Sequence, residues 1–390
     1  MEPDAPKRPG KGAAIILTLF FQITVALFIY ALLKAENAVV VALLLASLGA
    51  SFWTVSRNPA ALDQLAATLR QHRAMALSLT LLILLAVPLL VGSDVYILHL
   101  LILAQLYAVL ALALNFQLGS ANIPNFATSA SYGIGAYASA LLATGLGIGF
   151  WLAVPAAVLI ATLLCLAVGL LAMRARDTHL ALVTIAFAVV VHQLLNTLAW
   201  TGGANGLSGI PVPTLFGHSF ADPLRALGIR LPSQANFYYL SAALLAVMIL
   251  AARRLQASRV GLAWNAIRAD EIAARAQGID VTRYKVTAYL ADAAFAALAG
   301  AIYAAYISYI SPENFTFLLS VTIMTMVIVG GMDNIAGVLI GAFLITVLPE
   351  KLRLFSDYRL FIFAAIVIAF LLIRPQGLFP KRLRAYGAAA

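Results

Sequence analysis

The run WLAVPAAVLIATLLCLAVGLLAM, Trp151 to Met173, holds 23 residues without one charge. At about 1.5 Å per residue a helix of that length reaches ~34 Å, slightly more than the hydrocarbon core of a bilayer. Arg174 and Arg176 follow at once, and Trp151 stands at the other edge, as interfacial anchors do. A soluble core helix rarely needs so long an unbroken apolar run.

Working outward, further runs of the same kind lie near 13–33, 38–56, 74–91, 95–115, 125–144, 178–199, 236–252, 286–308, 315–331, 335–349 and 359–373. Across all 390 residues, 63% are hydrophobic and 10% are charged. A soluble domain is nearer 45–50% and about 25%. Mean hydropathy is +0.98. These values exclude disordered, collagenous and coiled-coil chains. The expected fold is all-α, a polytopic helical membrane protein of about 10–12 spans, because backbone exposed to lipid must satisfy its own hydrogen bonds. The alternating short strands of a membrane barrel are missing. The stretches 115–144 and 315–349 are interrupted by glycine and are expected to contain half-helices or re-entrant turns.

Basic residues give the orientation. With both termini in the cytoplasm, 19 of the 25 Lys and Arg fall inside, including seven between Arg253 and Lys285. Six fall outside: Lys34, Arg225, Arg230, Lys351, Arg353 and Arg359. The net charge of +10 therefore reads as topology, not as a nucleic-acid surface. The first apolar run, about 21 residues long, exceeds a signal-peptide core and is read as a retained anchor. The single cysteine, Cys165, forbids an internal disulfide or a multi-Cys metal site.

Enzyme motifs are sparse. There is no phosphate-binding GxxxxGK[ST] and no HExxH. Gly206-Leu207-Ser208-Gly209 fits the serine motif of rhomboid-type proteases, but none of the five histidines lies in a span after Ser208 to serve as its base. A glycine-rich turn is the better reading.

Several stretches resemble one family. They are LALNFQLGSANIPNFATSASYGIGAYASALL (112–142), TGGANGLSGIPVPTLFG (201–217), SRVGLAWNAIRADEIAARAQGIDVTRYKVTAYLADAAFAALAGAIYA (258–304), MVIVGGMDNIAGVLIGAF (326–343) and RPQGLF (374–379). They resemble the permease subunits of branched-chain amino-acid ABC importers, specifically the larger of the two paired permeases. The resemblance covers roughly 95–380. It divides the chain into extra N-terminal helices (1–94), a permease domain (95–380) with an external loop (200–235) and a cytoplasmic coupling loop (253–285), and a cytoplasmic tail (381–390). Two features depart from the pattern. Asn125-Phe126-Ala127 looks more like the smaller partner permease. In the loop, Ala273, Ala274 and Gly278 match the importer motif, but Ile272 stands where that motif has Glu, and Glu271 comes one residue early.

The resemblance implies an inner-membrane permease that works with a second permease, two ATPase subunits and an extracytoplasmic solute-binding protein. ATP would be held by the partner subunits and no cofactor by this chain. A hydrophobic amino acid is the implied solute, with urea or amides served by near relatives. Arg268, Asp270, Glu271, Ala274, Arg275 and Gly278 are the expected coupling residues, on one helix from Leu262 to Gln277 with Arg268, Glu271 and Arg275 on a shared charged face. Asn115, Asn122, Asn125, Ser129 and Tyr132 are expected to line the path. Gly203, Asn205, Gly206 and Ser208 are expected to help dock the binding protein. Asp292 lies about two turns into a span, where a carboxylate is expensive and usually functional. One reading has it accept the substrate ammonium or pair with an Arg. The other, which is the one expected here, places it near the headgroups, beside Lys285 or Tyr289, in a structural role. The alternative function is a secondary transporter or channel, for which Asp292 and Asp94 are the acidic candidates.

Overall fold

The computed structural model describes residues 11–35, 37, 39–41, 43–44, 47, 73–92, 94–172, 177–215, 217–226, 229–353 and 358–379. Of the expected span 38–56 only 39–41, 43–44 and 47 are described, all of them helical, and the tail 381–390 lies wholly outside the described residues. The remaining eleven expected stretches are helical: α1 (Lys11–Lys34), α2 (Arg73–Val91), α3 (Val95–Asn115), α4 (Thr128–Gly145), α5 (Phe150–Ala172), α6 (Asp177–Thr197), α7 (Gln234–Ala257), α10 (Val281–Ile307), α11 (Phe317–Gly330), α12 (Ile335–Lys351) and α13 (Arg359–Ile373). Two short helices, α8 (Arg259–Ala269) and α9 (Glu271–Ala276), stand between α7 and α10. Among the described residues, six helices are long and apolar enough to cross a bilayer. The chain is a multi-pass helical membrane protein.

The exposure pattern is inverted relative to a soluble bundle. On α5 the stripe Ala153, Ala157, Ala161 and Cys165 is fully buried, while Leu152, Leu159 and Leu163 are 73%, 60% and 56% exposed. Small residues every fourth position allow close helix packing, and the large ones are left for lipid.

The chain forms two compact units. The first comprises residues 1–98 and 349–362. Within it Lys351 Nζ donates to the carbonyls of Leu33 (2.6 Å) and Ala35 (3.1 Å), capping the C-terminal end of α1, and Tyr96 donates to Glu350 Oε1 at 2.6 Å.

The second unit, residues 99–348 and 363–390, is centred on α4, which packs against α5 and α10. The α4–α10 crossing is tight enough to need glycine on both sides. A Cβ at Gly135 would lie 2.3 Å from the Cα of Ala297, and one at Gly300 would lie 2.1 Å from the carbonyl of Tyr132. Gly337 and Gly341 likewise serve packing, pressed against the backbone of Gly330 and of Met326.

The helix breaks fall where glycine and polar residues cluster. α3 ends in a π-turn, Phe116–Ser120, and the chain is non-helical from 121 to 127. A second break at 331–334 separates α11 from α12, with Asp333 in the left-handed region at φ +63°. RPQGLF straps this second break: Leu378 and Phe379 donate backbone N–H groups to Val329 and Gly330, and Asn334 Nδ2 donates to the Phe379 carbonyl.

The long loop after α6 is not irregular throughout. It holds two short 3₁₀ turns and strands β1 (Leu207–Ser208), β2 (Thr214–Leu215), β3 (His218–Ser219), β4 (Leu224–Ala226) and β5 (Ile229–Leu231). β2 pairs with β3 and β4 with β5, while β1 pairs with β6 (Tyr309–Ile310), just beyond the C-terminal end of α10. The loop is thereby tied to the end of α10 opposite α8 and α9.

Candidate functional site

α10 fixes the depth of Asp292. The helix begins at Val281 and runs 27 residues, so Asp292 stands about 16 Å along a rod of ~40 Å. That is close to the middle, not at the headgroups as the sequence reading expected. The reading failed because it began the span at 286 and allowed a still later start, whereas α10 starts one turn earlier and carries Lys285 on its first turns. Of the two expected neighbours, Tyr289 stands one turn from Asp292 on the same face of α10, and Lys285 pairs instead with Glu271 at 2.6 Å.

Asp292 is 1% exposed, and three donors converge on one of its oxygens. Asn125 Nδ2 donates to Oδ2 at 2.8 Å, Gln117 Nε2 at 2.9 Å and Thr128 Oγ1 at 3.1 Å. The π-turn supplies Gln117, the broken segment supplies Asn125, and the first turn of α4 supplies Thr128. The break is what allows all three to reach one carboxylate. The same region is pinned to α11, where Ser320 Oγ accepts from Ser129 N (2.9 Å) and donates to Ser129 Oγ (2.7 Å). Asn125 Oδ1 also accepts from Ala127 N at 2.8 Å, which holds the loop ahead of α4.

The expected path residues therefore divide. Asn125 and Ser129 belong to this polar cluster. Tyr132 is buried beside it, its ring packed on Tyr303 and Phe315 at centroid distances of 5.5 and 5.2 Å. Asn122 is exposed, in the left-handed region at φ +55°. Asn115 serves a different site: its Oδ1 accepts from Asp333 N at 2.8 Å.

Asp333 is the centre of a second cluster. Its Oδ1 accepts from Ser120 Oγ at 2.7 Å and Gln256 Nε2 at 3.2 Å, and Arg268 Nη1 lies 3.8 Å from its Oδ2. The π-turn thus carries Gln117 to Asp292 and Ser120 to Asp333, so five residues join the two clusters. Gln117 and Thr128 lie in the same stretch 112–142, but nothing in their spacing assigned them to Asp292. The Arg268–Asp333 pair had no sequence signal at all, since its members lie far apart in the chain.

The loop between α7 and α10 departs from expectation. One helix from Leu262 to Gln277 was expected, but α8 stops at Ala269. Asp270 takes an extended backbone (φ −161°, ψ 113°) and caps α9, its Oδ1 accepting from Ile272 N and Ala273 N. The shared charged face is consequently split. Arg268 turns to Asp333, and Glu271 binds Arg275 at 3.0 Å and Lys285 at 2.6 Å. Ile267 and Ala274 pack with Val281 into a small core. Gly278 ends α9 at φ +80°, its N–H bonding to the Arg275 carbonyl at 3.0 Å. Ile272, 83% exposed, is left as the apolar tip of α9.

At the other end, Asn205 and Ser208 are exposed and Gly203 and Gly206 half-buried. Tyr309 donates to the Asn205 carbonyl at 3.1 Å, and a Cβ at Gly206 would lie 2.1 Å from the carbonyl of Ile310.

Residues 96–371 match the family described as branched-chain amino acid transport system / permease component. The chain belongs to this permease family. The permease is 38% identical over 291 residues to the high-affinity branched-chain amino acid transport system permease protein LivM of Salmonella typhimurium (strain LT2), covering 71% of this chain and 68% of that protein. The LivM protein of Escherichia coli (strain K12) gives the same identity and coverage. The LivH permease protein of that strain is 28% identical over 298 residues, 71% of this chain and 92% of that protein. No solved structure matches the permease. Asp292 and Asp333, with all the partners described for them, lie inside the matched region.

Proposed function

We propose that this permease is one membrane subunit of an ATP-driven importer for branched-chain or other hydrophobic amino acids, or a related small solute. It would pair with a second permease, receive solute from a binding protein at the end formed by 200–235, and be driven by two ATPase subunits at the end formed by α8 and α9. Both termini would face the cytoplasm in the inner membrane, in keeping with the distribution of Lys and Arg. The observation that carries the reading is the exposed Ile272 on α9, a helix held to the permease through buried Ala274. A capped helix presenting one large apolar side chain suits docking in a groove and passing on a push.

The test is reconstitution of the permease with its neighbouring permease and ATPases in vesicles. Uptake of labelled leucine that needs both ATP and loaded binding protein is expected. Uptake by the permease alone, unchanged by ATP, would replace this reading with a secondary transporter or channel.

A further inference from the structure

The Asp292 cluster is unbalanced. Three neutral donors share Oδ2, while Oδ1 makes no hydrogen bond. Among the described residues no Lys, Arg or His pairs with this carboxylate. Two further oxygens nearby are also bare: Gln117 Oε1, on the side chain that donates to Oδ2, and Tyr289 Oη, one turn earlier on the same face of α10. All three side chains are at most 2% exposed.

A buried charge is stable when it is paired, and an ionisable group inside a membrane span usually has a partner. Neutral donors reduce the desolvation penalty but do not cancel the charge. A proton on Oδ1 would cancel it, but a single O–H can serve only one of the bare oxygens. A small cation supplies both needs, since it neutralises the carboxylate and accepts lone pairs from bare oxygens. We propose that Asp292 Oδ1, with Gln117 Oε1 and Tyr289 Oη, is a binding site for one small monovalent cationic group. That group is either the α-ammonium of the transported amino acid or a free alkali cation. The ammonium source rests on the amino-acid importer reading; the site itself does not.

The test uses the full permease with its partner permease in lipid nanodiscs, without ATPase or binding protein, and follows thermal unfolding. The probes are sodium against choline chloride, and leucine against 4-methylpentanoate, which keeps the side chain and carboxylate but lacks the ammonium. A shift of a few degrees with sodium and none with choline identifies a free cation. A shift with leucine and none with 4-methylpentanoate identifies the ammonium. Either shift should vanish in Asp292→Asn. Tyr289→Phe keeps the ring packed against Gly169 and Cys165 but loses the oxygen, and should need about tenfold more probe, a weakening of about 1.4 kcal/mol. It serves alone if Asp292→Asn does not fold. No shift with either cationic probe up to its solubility limit, or equal shifts in wild type and variants, overturns the proposal. Because the assay contains no ATPase, failure of the importer reading would show separately, as uptake independent of ATP.

Discussion

Arg268 of α8 and Asp333 of the turn between α11 and α12 face each other, Nη1 to Oδ2, at 3.8 Å. The pair joins the polar loop after α7 to a break in a membrane helix, and through Ser120 it reaches the π-turn that also holds Gln117 against Asp292. A continuous chain of contacts thus runs from α8 to the buried cluster.

Replacing Asp333 tests how much of that joint is structural. Asp333→Ala leaves the Ser120 hydroxyl, the Gln256 amide and the Arg268 guanidinium without this acceptor and places alanine in the left-handed region. Bare buried donors cost about 1–3 kcal/mol each, so a clear fall in unfolding temperature is expected. Asp333→Asn keeps an acceptor and a residue type that tolerates this backbone, and should unfold within a few degrees of wild type. If Asn and Ala prove equally damaging, the carboxylate charge and not the hydrogen bonding carries the joint.

The α4–α10 crossing gives a sharper expectation. Gly300→Ala would drive a methyl group to within 2.1 Å of the Tyr132 carbonyl, backbone that cannot step aside without parting the helices. Overpacking of this kind costs about 1–3 kcal/mol or more. Membrane levels of folded Gly300→Ala should drop well below those of Gly149→Ala, whose added methyl meets nothing within 4 Å. Equal levels would mean that the helices separate more easily than their packing implies.

The sequence showed the helical membrane fold almost completely, because hydropathy follows directly from what lipid tolerates. Eleven expected spans are helices, and the breaks near Gly119 and Gly331 lie where glycine and polar residues gather. Side-chain pairing was less legible. Arg268, Glu271 and Arg275 are spaced to share a helical face, and the face disappears because Asp270 prefers to cap α9 rather than continue α8. Reversing Arg268 and Glu271 together, a natural test of a shared face, would instead set acid against Asp333 and base against Lys285 and Arg275. Asp292 was misplaced because the charges at Arg283 and Lys285 delayed the apparent start of its span.

The Asp270 cap can be tested on its own. Its Oδ1 holds two N–H groups of α9, at 2.8 and 3.0 Å. Asp270→Ala should destabilise the α8–α9 region by about 1 kcal/mol, and Asp270→Ser should recover most of that. Hydrogen exchange at Ile272 and Ala273 is the measurement. Exchange unchanged in Asp270→Ala would show that packing of Ala274, not the cap, holds α9.

Two isoleucines five residues apart separate folding from partner contact. Ile267 is 4% exposed and packed against Ala274 and Val281, whereas Ile272 is 83% exposed at the tip of α9. An aspartate at 267 would be buried without a partner, so Ile267→Asp should unfold this region and lower membrane levels. An aspartate at 272 meets solvent and should change stability by less than about 0.5 kcal/mol. If α9 seats in an ATPase groove, that same harmless change places a charge in the contact. Ile272→Asp should then keep normal membrane levels and pairing with the second permease, while uptake and the stimulation of ATP hydrolysis by loaded binding protein fall together by tenfold or more. Ile272→Leu, apolar and similar in volume, should retain both. The decisive comparison is stimulated ATPase rate against membrane level across the three variants. Full stimulation in Ile272→Asp would remove α9 as the docking element and leave the Arg268–Asp333 joint to be driven from elsewhere in the loop.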